Sequence, residues 1–509
     1  MNAKRLSALA LLLLFLLSTL TGCWDSDLDE EEPILGNVSE APVEEDVTQE
    51  EAAGLTAFTL PYFPKKTLDP ISCESGTQQT LSTLLYEGLF ALDASFAPQN
   101  VLCESYTYDS LTKTYTFTVA ANAVFSDGTP VSAADVLATL QRAAQSQRYS
   151  ARFATVSAMN ASGKDLTVTL TVNNAFFPAL LDIPIVKAGT ETQRIPVGSG
   201  AYVVFDDGSN EYLLANENWW QEKTLPVEEI LLSPNSDSET LVYQFNSREI
   251  HCLTTDLTGN DPLIVSGNVS FFDFPTSTML YVGFHAGSSL FSDAAVRRAV
   301  SLGLNRETIV SAYLSDHALP ASYPVSPVSA LYPSEQTPYS LDSFTSAMEA
   351  LELSGKPSAT LLVNSGNPVN EKVAAYIATA LDEYINVKIL SLPWEDYLAR
   401  LQSGGFDFYL AQTRITPDWN LTSLLSSSGK LNYGRCGSET LNQYLVGMQA
   451  GSDAAASQFY KAFAQEMPIA PLCFKQETVI LPASYISGVS PSPSSPFYSF
   501  ENWVIEENS

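Results

Sequence analysis

Side-chain catalysis needs nucleophiles, bases or metal ligands held at set spacings, and this chain supplies few. Its three histidines, His251, His285 and His317, are scattered, and no H-E-x-x-H or G-x-S-x-G stretch occurs. Gly355-Lys356 and Gly429-Lys430 lack both the following Ser or Thr and the upstream Gly of a phosphate-cradling loop. Gly198-Ser199-Gly200 precedes a strand pattern instead of following one, so it is no dinucleotide fingerprint. The six cysteines include no C-x-x-C, which argues against a thiol redox site or a zinc knuckle. Carboxylates are so abundant, 57 in 509 residues, that their spacing carries no information. The expectation is a protein that is not an enzyme, has no cofactor and works by binding.

Only 25 Lys and Arg offset those carboxylates, leaving a net charge of −32. Such a chain does not neutralise phosphates, which excludes nucleic acid as a partner. The length allows about three domains. The first 22 residues read as a leader. Lys4 and Arg5 precede an apolar run from Leu6 to Leu20, too short for the roughly 20 residues of a membrane span. Leu20-Thr21-Gly22-Cys23 follows and resembles a bacterial lipobox. That motif implies a diacylglycerol thioether on Cys23 as the first mature residue, and several acyl chains anchor stably. Residues 23–54 then read as an acidic tether, with twelve Asp and Glu and no Lys or Arg. The remaining body carries −22. Beyond the leader, Cys73, Cys103, Cys252, Cys436 and Cys473 are odd in number, so at least one is unpaired within the chain.

The body must position its groups with strands and helices in alternation. Residues 114–119 alternate polar and apolar as a half-buried strand does. Ser132 with Asp135 forms a capping-box variant ahead of a helix over about 133–145. Residues 166–172 and 202–205 read as strands. Ser292 and Asn305 are expected to cap two further helices. From 359 to 411 the pattern is βαβαβ, with strands at 359–363, 387–391 and 406–411. Val373, Ile377, Leu381 and Tyr384 fall on one face of the first helix between them. This predicts an α/β protein with parallel pairing. Proline-rich stretches near 318–338 and 488–497 read as irregular connections.

The stretch from Ala121 to Val136, ANAVFSDGTPVSAADV, resembles a signature of the family 5 extracellular solute-binding proteins. Other segments follow in that family's order. They are Leu68-Asp69-Pro70, Tyr86-Glu87-Gly88-Leu89, Gly198-Ser-Gly-Ala-Tyr202, Asn218-Trp219-Trp220, Val296-Arg297-Arg298-Ala299, Leu304-Asn305-Arg306-Glu307 and Asp418-Trp419-Asn420. Together they cover residues 55 to about 505. The resemblance implies a two-lobed periplasmic-binding-protein (Venus flytrap) fold with mixed sheets, of type II or cluster C kind, with an extra inserted domain. Domain I would combine 55–91, 194–275 and 488–509. Domain II would be the insertion 92–193 and domain III would span 276–487. The hinges would then lie near 275 and 487.

The same resemblance implies a monomeric binding subunit of an ABC importer, working with a permease and its ATPase. It would be held at the outer face of the cell membrane by its lipid and would carry a small solute, foremost an oligopeptide or dipeptide. A sensing receptor and a carrier of nickel or another metal chelate share the fold and stay open as alternatives. Asp418 matches the family position that meets a peptide's α-amino group, and can equally be a helix cap ahead of Leu421. Trp419 and Trp394 are candidates for lining the pocket, Arg414 for pairing with a ligand carboxylate, and Glu74 for a lesser contact. His285 stands where the family often has Asn, either as a local substitution or as a ligand contact. Arg414-Ile415-Thr416-Pro417 departs from the family pattern just before Asp418, which leaves substrate identity open.

Overall fold

The computed structural model describes residues 55–235, 237–258, 265–335 and 338–506. The leader, Cys23 and the tether lie outside the described residues. The described part belongs to one compact unit built on three main sheets.

The first sheet orders its strands Thr59–Tyr62, Glu229–Pro234, Glu211–Ala215 and Tyr202–Asp206; the first pair is parallel and the others are antiparallel. Leu60 and Tyr62 alternate inward and meet Leu81, Leu84 and Leu85 of helix Gly76–Leu85. Phe497, Phe500 and Trp503 return from the far end of the chain to the same core. The second sheet is antiparallel, in the order Cys103–Asp109, Thr114–Val119, Asp165–Leu170, Val156–Ser162. The alternation over 114–119 buries Tyr115, Phe117 and Val119. These pack with Val136 and Leu140 of helix Ala133–Gln145. Both bonds of the Ser132–Asp135 capping box are present.

The third sheet has seven strands. Its parallel part is the expected βαβαβ unit. Strand Ser358–Asn364 pairs in parallel with Asn386–Leu392 and with Phe408–Arg414. Helices Pro368–Leu381 and Trp394–Ser403 make the crossovers. The sheet is nevertheless mixed, because Phe408–Arg414 also pairs antiparallel with Val269–Phe284. One expected cap moves. Asp293, not Ser292, accepts from the Ala295 amide at 2.8 Å and caps helix Ala294–Leu302. An Asp carboxylate is a stronger acceptor at the positive helix end than a hydroxyl. Asn305 caps helix Arg306–Tyr313 as expected.

Val269–Phe284 and Ile469–Pro482 are the two longest strands, 16 and 14 residues, and they pair with each other. Each serves two cores. Phe274, Val479 and Leu481 pack with the first sheet, whereas Leu280, Val282, Phe284, Leu472 and Cys473 pack in the core of the third. Between the two halves the register shifts, at Pro275 to Met279. Val479, Leu481 and Ile486 pack in the first core.

Candidate functional site

The register shift opens the floor of a cleft. Pro275, Thr276 and Ser277 line a cavity of about 310 Å³ whose other walls include Arg148, Arg152, Arg414 and Glu477. A second cavity of about 400 Å³ continues it and shares Ala151, Arg152, Arg414, Ile415 and Thr416 as a common wall. Arg148 precedes the short helical turn Ser150–Phe153 and Arg152 lies within it, beside the second sheet. Arg414 ends strand Phe408–Arg414 of the third sheet. The cleft therefore lies between sheets and presents basic groups from both sides. A cavity of about 580 Å³, lined by Leu60, Phe63, Lys66 and Leu253, is larger but shares no residue with the cleft.

The charges are unevenly satisfied. Arg152 pairs with Asp182 and donates to the Leu180 carbonyl at 3.0 Å. Asp182 also accepts from Ser494 at 3.0 Å. Arg148 stacks on Tyr149, 5.3 Å from the ring centre. Among the described residues, Arg148, Arg414 and Glu477 take part in no ion pair or side-chain hydrogen bond. Arg414 is solvent-exposed in the concavity, yet loss of water around it draws its pKa down, opposed by the facing Glu477 charge. Desolvation pushes the Glu477 carboxyl up, and Arg414 opposes that. Each group feels the other without touching it, so a ligand can enter between them.

Asp418 is placed differently. It borders the second cavity but is only 2% exposed. Asn174 Nδ2, from the far side of the cleft, donates to its Oδ2 at 2.8 Å. Thr416 Oγ1 and the Asn420 amide donate to Oδ1 at 2.5 and 3.3 Å. Burial raises its pKa and those donors oppose the rise. Trp419 is buried with φ +54° and meets Phe96 edge-on at 5.0 Å, lining a cavity of about 260 Å³ that shares Phe96 and Pro417 with the first cleft cavity. Trp394 opens its helix, 56% exposed and stacked on Tyr397, outside the cavities described above. Glu74 is exposed on the loop before helix Gly76–Leu85 and lines neither cleft cavity. Of the five residues the sequence proposed, Arg414 and Asp418 line the cleft cavities, Trp419 lines the adjoining one, and Trp394 and Glu74 line none of these. His285 packs edge-on against Phe406 at 5.2 Å, which fits a local substitution.

Sequence reasoning missed Arg148, Arg152, Asn174 and Glu477. A signal existed for the first two: paired arginines four residues apart around Tyr149, in a chain short of basic residues. None existed for Asn174 or Glu477, whose meaning comes from long-range packing. The five cysteines after Cys23 are free and buried.

Several sequence motifs meet at one buried carboxylate. Glu87 accepts from Ser199 Oγ at 2.9 Å, Trp219 Nε1 at 3.0 Å, Trp220 Nε1 at 2.7 Å and Gln221 Nε2 at 2.6 Å. Burial raises its pKa and the four neutral donors oppose the rise. The Tyr86-Glu87-Gly88, Gly198-Ser-Gly and Asn218-Trp-Trp segments are thus a structural clamp.

Sheets on either side of a cleft, joined by two long strands, form the two-lobed periplasmic binding protein fold. The murein tripeptide binding protein MppA, in its unliganded open form, superposes with a TM-score of 0.74 at 19% identity, covering 89% of this chain and 99% of that one. A nickel ABC transporter protein from Bacillus halodurans gives 0.71 at 17% identity, over 87% and 98%. The glutathione-binding protein GsiB of Escherichia coli (strain K12) is 25% identical over 443 residues, 80% of this chain and 86% of that protein. The model of the bacterial extracellular solute-binding proteins, family 5, matches residues 97–434. The chain belongs to that family. It is accordingly an extracytoplasmic substrate-binding protein of an ABC importer and not an enzyme.

Proposed function

We propose that this protein is a lipid-anchored receptor that binds short peptides between its lobes and delivers them to an ABC permease. The observation that carries this reading is the charge pattern of the cleft. Arg148 and Arg414 face it from opposite sides as unpaired cations, and Glu477 faces it as an unpaired anion. A peptide has a carboxylate and an ammonium at fixed places on an extended backbone, and this pattern complements it. The two continuous cavities give room for such a backbone. Cys23 is the site of the lipid, and residues 24–54 form the tether that keeps the receptor near its permease. Domain I comprises 55–91, 194–275 and 488–509, domain II 92–193, and domain III 276–487.

Closure follows from linkage. A ligand that touches Arg148 and Arg414 together bridges the two sides of the cleft, so it favours the closed state by its differential affinity. Native mass spectrometry of the chain purified gently in detergent tests the reading. Co-purified species with the masses of short peptides are expected. A bound metal chelate, or a sugar in their place, would contradict it.

A further inference from the structure

The lobes already touch at one edge of the cleft, and this contact consumes Asp418. Asn174 is fixed from its own side: Oδ1 accepts from the Phe176 amide at 3.0 Å and its carbonyl accepts from Tyr115 Oη at 2.8 Å. That leaves Nδ2 to donate to Asp418. Beside it the Ala175 amide donates to the Gln449 carbonyl at 2.8 Å. Gln449 Nε2 in turn donates to the carbonyls of Asp418 and Trp419, both at 3.0 Å. Both Asp418 oxygens therefore have protein donors. At 2% exposure the carboxylate is closed to an entering ammonium unless this contact between the lobes opens.

With Asp418 used and Arg152 paired to Asp182, three ionisable groups without an ion-pair partner line the cleft: Arg148, Arg414 and Glu477. We infer that the cleft selects a short acidic peptide with one free ammonium and two carboxylates, the ammonium meeting Glu477 and the carboxylates meeting Arg148 and Arg414. Two cations and one anion complement a ligand of net charge −1. Such a ligand suits guanidinium groups, which bind carboxylates through two parallel N–H donors. A neutral peptide leaves one guanidinium of the cleft unmatched, and a basic peptide adds repulsion.

This inference rests on the peptide reading above, and one titration series separates the two. The probes are Ala-Ala-Glu, Ala-Ala-Ala, Ala-Ala-Lys and N-acetyl-Ala-Ala-Glu, measured by isothermal calorimetry on the chain in detergent after removal of co-purified ligand. Losing a charge-assisted bond in a desolvated site weakens binding by about tenfold to a hundredfold. Ala-Ala-Glu is expected to bind more tightly than Ala-Ala-Ala by at least that lower factor, and Ala-Ala-Lys more weakly than either. N-acetylation is expected to cost a similar factor in the native chain. In Glu477→Gln the acetylation penalty should vanish, whereas in Asp418→Asn it should persist. Arg414→Gln should erase the preference for Glu over Ala. Circular dichroism of each variant confirms its fold, and the ratios between probes are internal to each variant. A penalty that survives in Glu477→Gln and disappears in Asp418→Asn overturns the assignment while leaving the peptide reading intact, as does a preference for Ala-Ala-Lys. Absence of binding by all four peptides overturns the peptide reading itself and the inference with it.

Discussion

Single residues in this protein do separable jobs, and their burial tells them apart. His251 is 5% exposed, and its Nδ1 accepts from the Thr59 amide at 3.0 Å. Burial lowers its pKa to about 4. The folded state thus holds the ring neutral while the unfolded chain takes up a proton near pH 6.5. His251 therefore contributes stability that is fully present above pH 6.5 and is lost as pH falls towards 4, amounting to about 3 kcal/mol for that shift. Chemical denaturation of the native chain and His251→Gln across pH 4 to 7.5 should show a shallower decline in the variant; parallel curves would contradict this. Glu87 is a second test. Glu87→Gln puts an NH₂ group among N–H donors, and losing hydrogen bonds to a buried charged acceptor costs about 1.5–3 kcal/mol per bond before relaxation. Calorimetry should record a clear fall in Tm, with the peptide preferences of the folded protein unchanged because Glu87 lines neither cleft cavity.

At the scale of elements, the caps and strand periods were the most legible part of the sequence, because both depend on neighbours within a few residues. The capping box at Ser132 and the alternation over 114–119 stand where local chemistry puts them. The Ser292 expectation failed because the adjacent Asp293 competes for the same amides and wins by its charge. That outcome predicts an asymmetry. Asp293→Ala should cost about 1 kcal/mol in thermal stability, as cap removal usually does, whereas Ser292→Ala should change little. Equal losses would mean that both residues cap. The long strands were less legible. Val269–Phe284 carries apolar residues that serve two cores on either side of a register shift, and no local period announces the change.

The whole molecule combines an acidic body with a basic-walled cleft, and that contrast gives its function a direction. A net charge of −32 repels anions at long range, so an acidic ligand must be won by short-range pairing inside the cleft. Association should therefore quicken as salt screens the body, and stopped-flow rates for Ala-Ala-Glu should rise with ionic strength. A fall would place the ligand's entry in a different field. The candidate site was legible only in outline. Asp418 and Arg414 stood out by resemblance and charge, but their roles depend on partners more than 60 residues away in the chain, Asn174 and Glu477. The tryptophans differ in a way the sequence does not show: Trp419 is buried beside Phe96, whereas Trp394 is 56% exposed at the start of its helix.

The central claim is that ligand sits between the lobes and is held from both sides. A crystal structure of the chain with its co-purified ligand, or with Ala-Ala-Glu, tests that most directly. The account predicts density in the cleft with carboxylates on Arg148 and Arg414 and an ammonium on Glu477, while Asn174 stays on Asp418. Ligand seated in the cavity by Lys66 and Leu253, or an ammonium on Asp418 with Asn174 displaced, would contradict it.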